Sequence, residues 1–302
     1  MQIGIDLGGH TTRVALVRKG KILASSEAGT PESRAPGDVM EKISSMIRHL
    51  EAGGRFEGIG IGLPGMLNAE RNRVLRLPNF PLWEDFDLKS EAMQFLGSPV
   101  VIENDANCYA LGEGASGAAR GLENYIVITV GTGVGGGVVL GGDLLRGSHG
   151  MAGELGHAVV GEKIPCGCGG MGHCESIAGA DGVEKALAAL GIRGELSDLW
   201  KKRDRPPYRE VWEKALDALA RMVATAVHFF DPRAIIVGGG LSRGEGFLDE
   251  LADTVKVYLA EPFRESLDLR RSLLGNDAAV IGAAVLAARN TETGSFRDSS
   301  IS

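Results

Sequence analysis

Val130-Gly131-Thr132-Gly133-Val134-Gly135-Gly136-Gly137 opens the stretch that decides the fold of this 302-residue chain. Behind it come Gly153-Glu154-Leu155-Gly156-His157 and then Cys166-Gly167-Cys168-Gly169-Gly170-Met171-Gly172-His173-Cys174-Glu175. The first segment is a backbone able to wrap a phosphate, because glycine lets successive N–H groups close on an anion. The second, with Glu175, supplies paired carboxylates and a histidine. The third has metal-ligand spacing. The fold must explain why the three lie together.

Outward from this stretch, Tyr125 to Val130 reads as a strand, Gly131 to Gly136 as a turn and Gly137 to Leu140 as a second strand. The N-terminus repeats the plan. Ile3, Ile5 and Leu7 alternate as in a strand, Asp6-Leu7-Gly8-Gly9-His10-Thr11 turns, and Thr12 to Val17 and Lys21 to Glu27 return antiparallel. The chain therefore reads as an internal duplication of one α/β module, one copy per lobe: residues 1–120, carrying the first turn, and 121–302, carrying the second. Val39, Ile43, Met46, Ile47 and Leu50 form one face of a helix closed by Gly53-Gly54. Ile59, Ile61 and Leu63 make a strand running into Pro64-Gly65, and Leu77 to Pro81 is an irregular, proline-stiffened segment. Val100 to Glu103 is a short buried strand before a helix at Cys108 to Ala119. Later helices are expected at Asp181 to Leu190, Tyr208 to Phe230, Phe247 to Leu259 and Asp277 to Arg289, with a strand at Ala234 to Val237 ending in Gly238-Gly239-Gly240. The Asp277 helix is rich in alanine and glycine, which suits close packing.

Composition narrows the classes. A 44% apolar content and a net charge of −7 without any basic run fit a globular enzyme and count against nucleic acid as a main partner. No apolar stretch is long enough to span a bilayer, and the chain opens directly on a strand with no signal-peptide pattern, so a cytoplasmic protein without membrane contact is expected. Three of the four cysteines are clustered, which favours metal binding over a disulfide framework. Cys108 stands apart and reads as a buried small apolar residue. The 45 glycines are about twice the usual ~7% and fall in strand-and-turn contexts, which points to backbone closely approaching a ligand.

Either glycine turn alone is compatible with a plain hairpin. Two at equivalent places in duplicated halves point to a polyphosphate held between them. Asp6, beside the first turn, suits Mg²⁺. Gly239, in the glycine run after a strand, lets a nucleotide base or ribose lie against the backbone. Asp105 follows a buried strand and precedes a helix, where a carboxylate can take a proton from a substrate hydroxyl; helix capping by Asn104 or Asp105 is compatible with that role. Glu154, Glu175 and Asn104 suit sugar hydroxyls. His157, Cys166, Cys168 and either His173 or Cys174 give a mixed set suited to a structural tetrahedral Zn²⁺.

Together these motifs resemble the ROK family of sugar kinases and sugar-responsive repressors, within the actin/hexokinase/Hsp70 fold superfamily, over essentially the whole chain. The most specific match is the segment from Gly153 through Glu175, against a family pattern C-x-C-G-x-x-G-C-x-E. The sequence departs where His173 stands in place of the third cysteine. The resemblance implies an α/β, two-lobed actin-like ATPase fold of duplicated ribonuclease H-like halves, with a ligand cleft that closes on substrate. It implies a last helix, about residues 277–290, packing back on the first lobe, and a homodimer or larger homo-oligomer. It implies phosphate contacts at Asp6, Gly8, Gly9, His10, Thr11, Gly131, Thr132, Gly133 and Gly135, with Gly239 at the nucleotide. Asp105 is then the catalytic base; Gly65, Asn79, Asn104, Asp105, Glu154, His157 and Glu175 contact the sugar; His157, Cys166, Cys168 and His173 hold zinc. The expected activity is ATP- and Mg²⁺-dependent phosphorylation of a hexose 6-hydroxyl, first glucose, with N-acetylmannosamine, N-acetylglucosamine or fructose as alternative acceptors. A repressor of the family carries a helix-turn-helix ahead of the first turn; here that turn begins at residue 6, so the kinase is favoured.

Overall fold

The computed structural model describes residues 1–50, 56–77, 80–161 and 163–292. The elements run β1 (Gln2–Leu7), β2 (Thr11–Arg18), β3 (Lys21–Gly29), α1 (Pro36–Leu50), β4 (Ile59–Leu63), β5 (Met66–Leu67), β6 (Val74–Arg76), α2 (Leu88–Leu96), β7 (Val100–Asn104) and α3 (Asp105–Ser116). They continue with β8 (Tyr125–Val130), β9 (Val134–Leu140), β10 (Asp143–Leu144), α4 (Glu175–Ala178), α5 (Ala180–Ala189), α6 (Leu196–Lys202), α7 (Tyr208–Phe230), β11 (Ala234–Gly238), α8 (Phe247–Tyr258), α9 (Glu261–Ser266), β12 (Leu269–Arg271) and α10 (Asp277–Glu292). The chain packs as two compact units, one of Met1–Gly121, Leu144–Ala152 and Asn276–Ser302, the other of Leu122–Asp143 and Gly153–Gly275. Leu144–Ala152 lies beyond a boundary at residue 120 yet clusters with the first unit.

Each unit is built on one five-stranded sheet, ordered β3-β2-β1-β4-β7 in the first and β10-β9-β8-β11-β12 in the second. β1 pairs antiparallel with β2 and parallel with β4, which pairs parallel with β7. β8 pairs antiparallel with β9 and parallel with β11, which pairs parallel with β12. The doubled module expected from the two glycine turns is thus present as two mixed sheets of one plan.

In the first unit Ile3, Ile5, Leu7, Ile59, Ile61 and Leu63 are all but inaccessible to solvent and join the apolar stripe of α1 in one core. The Gly53-Gly54 pair expected to end α1 lies outside the described residues. Glycines decide what covers the sheet's other face. A Cβ on Gly4 would overlap the carbonyl oxygen of Val280, and one on Gly60 that of Ala283. Gly112 and Gly282 meet the backbone of Ala278 and Cys108 in the same way. The small-residue helix α10 therefore lies directly on β1, β4 and α3, backbone against backbone, where dispersion contacts are dense and no side chain can intervene. Cys108 is buried at this contact, as expected of a small apolar residue.

Several boundaries differ from the sequence reading for local reasons. The second turn covers only Gly131 to Gly133, because β9 begins at Val134 and Gly135 is already paired with Thr129. α3 starts at Asp105, not Cys108, because Asn104 caps it: Asn104 Oδ1 accepts the N–H groups of Ala106 at 2.9 Å and Asn107 at 3.2 Å. It ends at Ser116, where Glu113 Oε2 accepts the N–H of Ala118 at 2.7 Å. α2 was not expected, yet it carries helix signals at both ends: Asp87 caps its start through the Ser90 N–H, and Gly97 closes it in a left-handed conformation at φ 61°. Among the described residues no helix is long and apolar enough to cross a membrane.

Candidate active site and metal-binding loop

In the first unit the glycine turn between β1 and β2 is closed by the Gly8 N–H donating to the Thr11 carbonyl at 3.0 Å. A hydroxyl just beyond β3 braces it: Thr30 Oγ1 donates to the Gly8 carbonyl at 2.8 Å and shares a hydrogen bond with Thr12 Oγ1, on β2, at 2.9 Å. His10 and Thr11 stay exposed at its tip, with Gly8 and Gly9 partly so. Asp6, on β1 just before this turn, is densely surrounded. Burial and the nearby Asp105 carboxylate raise its pKa from 3.8 to about 7, against a lowering by Arg13. Asp6 and Asp105 thus form a pair of interacting carboxylates. Asp105 is the first residue of α3, partly exposed, with Oδ1 accepting the Ala106 N–H at 2.8 Å. Asn104 reaches across from the cap, its Nδ2 donating to the Gly65 carbonyl at 3.4 Å. Gly65 is itself too close to Arg76 and Leu77 to accept a side chain. Asn79 lies outside the described residues.

One residue of this corner was not singled out. Glu103, the last position before Asn104, is a fully buried carboxylate bonded to Arg71 and Arg146. The signal was a charge at the end of the apolar run Val100-Val101-Ile102, which cannot be buried without partners.

In the second unit the turn is closed by the Gly131 N–H donating to the Gly133 carbonyl at 2.9 Å. The Ala180 N–H donates to the Gly131 carbonyl at 3.0 Å, so the N-terminus of α5 abuts the turn. Thr132 is exposed at its tip. Glu175 Oε2 accepts the N–H of Val134 at 3.1 Å and fills the space where a Gly133 side chain would be. The other oxygen, Oε1, lies 3.8 Å from Cys166 Sγ and 4.0 Å from His157 Nε2. One carboxylate therefore joins the second glycine turn to the cysteine loop. The glycines of β9 complete the arrangement. A Cβ on Gly136 would crowd Leu155, and one on Gly156 would overlap the Val134 carbonyl, so the Glu154–His157 segment packs directly on the strand. Gly239, at φ 85°, closes similarly on the backbone of Val130.

Glu154 Oε2 lies 3.2 Å from His157 Nδ1, and this hydrogen bond, against the cost of burial, raises the histidine pKa. His157, Cys166, Cys168 and His173 place their ligand atoms within 4.8 Å of one another. A tetrahedral zinc with bonds of about 2.0–2.3 Å needs ligand atoms about 3.3–3.8 Å apart, so this two-sulfur, two-nitrogen set fits after a small inward adjustment. Cys168 Sγ and His173 Nδ1 are already 3.2 Å apart. The loop is shaped by backbone bonds, Cys166 N–H to Gly170 carbonyl at 2.9 Å and Gly169 N–H to Cys166 carbonyl at 3.0 Å. Burial raises the Cys166 thiol. At Cys168 burial acts the same way but is outweighed by the Gly170 N–H, the Cys166 side chain and His157, so that thiol is lowered. Cys174, the alternative fourth ligand, is not in the set: it is fully buried, with its thiol pushed up to about 12 by burial.

Known proteins share this plan. The sequence pattern described as "ROK family" matches residues 2–290. A glucokinase of Thermotoga maritima is 36% identical, the match covering 93% of this chain and 95% of that protein. The crystal structure of a ROK hexokinase from Thermus thermophilus superposes with a TM-score of 0.86 at 34% identity, covering 97% of this chain and 99% of that one. A ROK family glucokinase from Streptomyces griseus, solved in complex with glucose and AMPPNP, gives 0.81 at 30% identity, over 95% and 99% of the two chains. Fold and relatives define an enzyme of the actin-like class, a kinase that phosphorylates a sugar. The chain belongs to the ROK family.

Proposed function

We propose that this sugar kinase transfers the γ-phosphoryl group of ATP to the 6-hydroxyl of a hexose, with glucose the preferred acceptor. The observation that carries the reading is Asp105. It stands at the start of α3, next to the capping Asn104 and within electrostatic reach of Asp6. Its carboxylate takes the proton of the acceptor hydroxyl, which attacks phosphorus in line and displaces ADP. Asn104, Gly65, Glu154, His157 and Glu175 orient the sugar by hydrogen bonds; Asn79 is assigned here from the family resemblance. The tips of the two turns, Gly9 to Thr11 and Thr132 to Gly133, carry the phosphates through backbone N–H groups, and Gly239 lets the nucleotide approach the main chain. Mg²⁺, when bound with the nucleotide, neutralises phosphate charge, and Asp6 is the carboxylate suited to hold it. Zinc, when bound by His157, Cys166, Cys168 and His173, staples the loop that carries Glu175. The glucokinase name of the Thermotoga relative supports glucose as acceptor. A homo-oligomer is proposed from the family resemblance.

The test is an ADP-release assay with Mg-ATP against glucose, mannose, fructose, N-acetylglucosamine, N-acetylmannosamine and no sugar. Turnover with glucose well above the other sugars is expected. Preference for an acetylated sugar keeps the chemistry and changes the acceptor. No sugar-dependent turnover by folded, zinc-loaded protein overturns the reading.

A further inference from the structure

Glu103 is held more firmly than a strand end requires. It is inaccessible to solvent and gathers three hydrogen-bond donors and a second arginine as an ion-pair partner. Arg71 Nη2 lies 3.1 Å from Oε1 and Arg146 Nε 2.8 Å from Oε2. The Asn104 N–H and Asn107 Nδ2 donate to Oε1 at 3.0 and 3.1 Å. The β4–β7 pairing already aligns the strand up to Asn104, so these bonds act on the corner beyond it.

The two arginines come from segments distant in sequence. Arg71 sits in the turn between β5 and β6 at φ 54°, a conformation costly for a side chain with a Cβ. That turn is tied by Asn68 Oδ1, which accepts the N–H groups of Asn72 and Arg73 at 3.1 and 2.9 Å. Arg146 comes from Leu144–Ala152, and the same segment packs against the Arg71 turn: a Cβ on Gly150 would stand 3.0 Å from Arg71 Nη1 and 3.1 Å from the Cα of Ala69. Arg71 Nε and Nη2 and Asn107 Oδ1 are buried without a hydrogen-bond partner, so Arg71 holds Glu103 by charge, while Arg146, Asn104 and Asn107 hold it by hydrogen bonds. Three chain segments therefore converge on one carboxylate, directly before the residue that caps α3 and the residue that begins it.

We propose that Glu103, clamped by Arg71 and Arg146, is a positioning residue: it fixes the Asn104-Asp105 corner so that the Asp105 carboxylate meets the acceptor hydroxyl. This rests on the reading of Asp105 as the base. A base displaced by about an ångström loses about a hundredfold in rate without any change in its own chemistry.

The test is Arg146→Gln, with Arg146→Lys as the conservative variant, each in the wild-type and in the Asp105→Asn background. Arg146 is partly exposed and its loss leaves Glu103 paired with Arg71, so folding, checked by thermal melting, is retained. In the wild-type background Arg146→Gln is expected to lower kcat about 10- to 100-fold with the nucleotide KM nearly unchanged, and Lys to recover part of the loss. In the Asp105→Asn background the same change should cost less than about twofold, because the residue it acts through is gone. Wild-type kcat for Arg146→Gln, or an equal loss in both backgrounds, overturns the clamp. Wild-type turnover by Asp105→Asn overturns instead the reading of Asp105 as the base.

Discussion

The two glycine turns share a backbone plan and differ in what braces them. The first, after β1, is held by the neutral hydroxyl of Thr30, just beyond β3, and its carboxylate, Asp6, belongs to the strand itself. The second, after β8, is held by a carboxylate brought from elsewhere, Glu175, which also touches the cysteine loop. The first unit fixes its functional groups on regular elements packed between a large apolar core and the close-lying α10. The second places its candidate groups on a glycine-rich loop with little apolar surface, where the proposed zinc would do what a core does elsewhere. Two copies of one scaffold thus reach rigidity by different routes, and each route fails differently.

The largest effect should come from the first unit's base. Asp105→Asn keeps the shape and the helix start but cannot take a proton, so turnover should fall by at least about a thousandfold. Isothermal titration should show sugar affinity within a few-fold of wild type. Lost sugar binding with chemistry intact would reverse the assignment.

The second unit should break at its loop. Cys168→Ser removes one of four ligands; zinc content by mass spectrometry should fall from near one per chain to well below it, and activity by at least about tenfold. Hydrogen exchange should rise in residues 157–175 and stay unchanged in β1 and β4. Faster exchange in both units alike would show that the loop has no separate role.

A smaller effect tests the carboxylate on β1. In the folded protein Asp6 titrates at about 7, against 3.8 when unfolded. Its folded-state proton stabilises the fold below pH 3.8, and that contribution is lost as the pH rises through 7, since folding then forces a charge into a crowded site. The span corresponds to at most about 4 kcal/mol. Asp6→Asn has no such proton to lose. In metal- and nucleotide-free protein, urea melts should therefore show the variant gaining on wild type between pH 4 and 8. Parallel pH profiles would mean that Asp6 is ionised throughout.

Much of the site could be read without coordinates because its chemistry is local. Asn104 and Asp105 announce a strand end and a helix start in adjacent positions, and three of the four candidate ligands, Cys166, Cys168 and His173, lie in one loop. Where sequence and structure differ, short-range competition is responsible. Gly135 was counted in the turn because glycine is ambiguous alone, whereas pairing with Thr129 makes it strand. α2, bounded by Asp87 and Gly97, was overlooked because its nine residues carry a weak apolar stripe.

By itself the sequence determined the duplicated α/β plan, the alternating core strands, the amphipathic α1 and α7, and the Cys/His cluster of the candidate metal loop. These follow from periodicity and from chemistry that neighbouring residues complete among themselves. Tertiary structure alone decided the rest. It placed His173, and not the buried Cys174, beside His157, Cys166 and Cys168, joined Glu175 to the second turn, and laid α10 on β1 and β4. It also brought Arg71 and Arg146 to Glu103. Each depends on which distant segments meet and how closely two backbones approach, and a buried charge finds its partners only once the chain between them has folded.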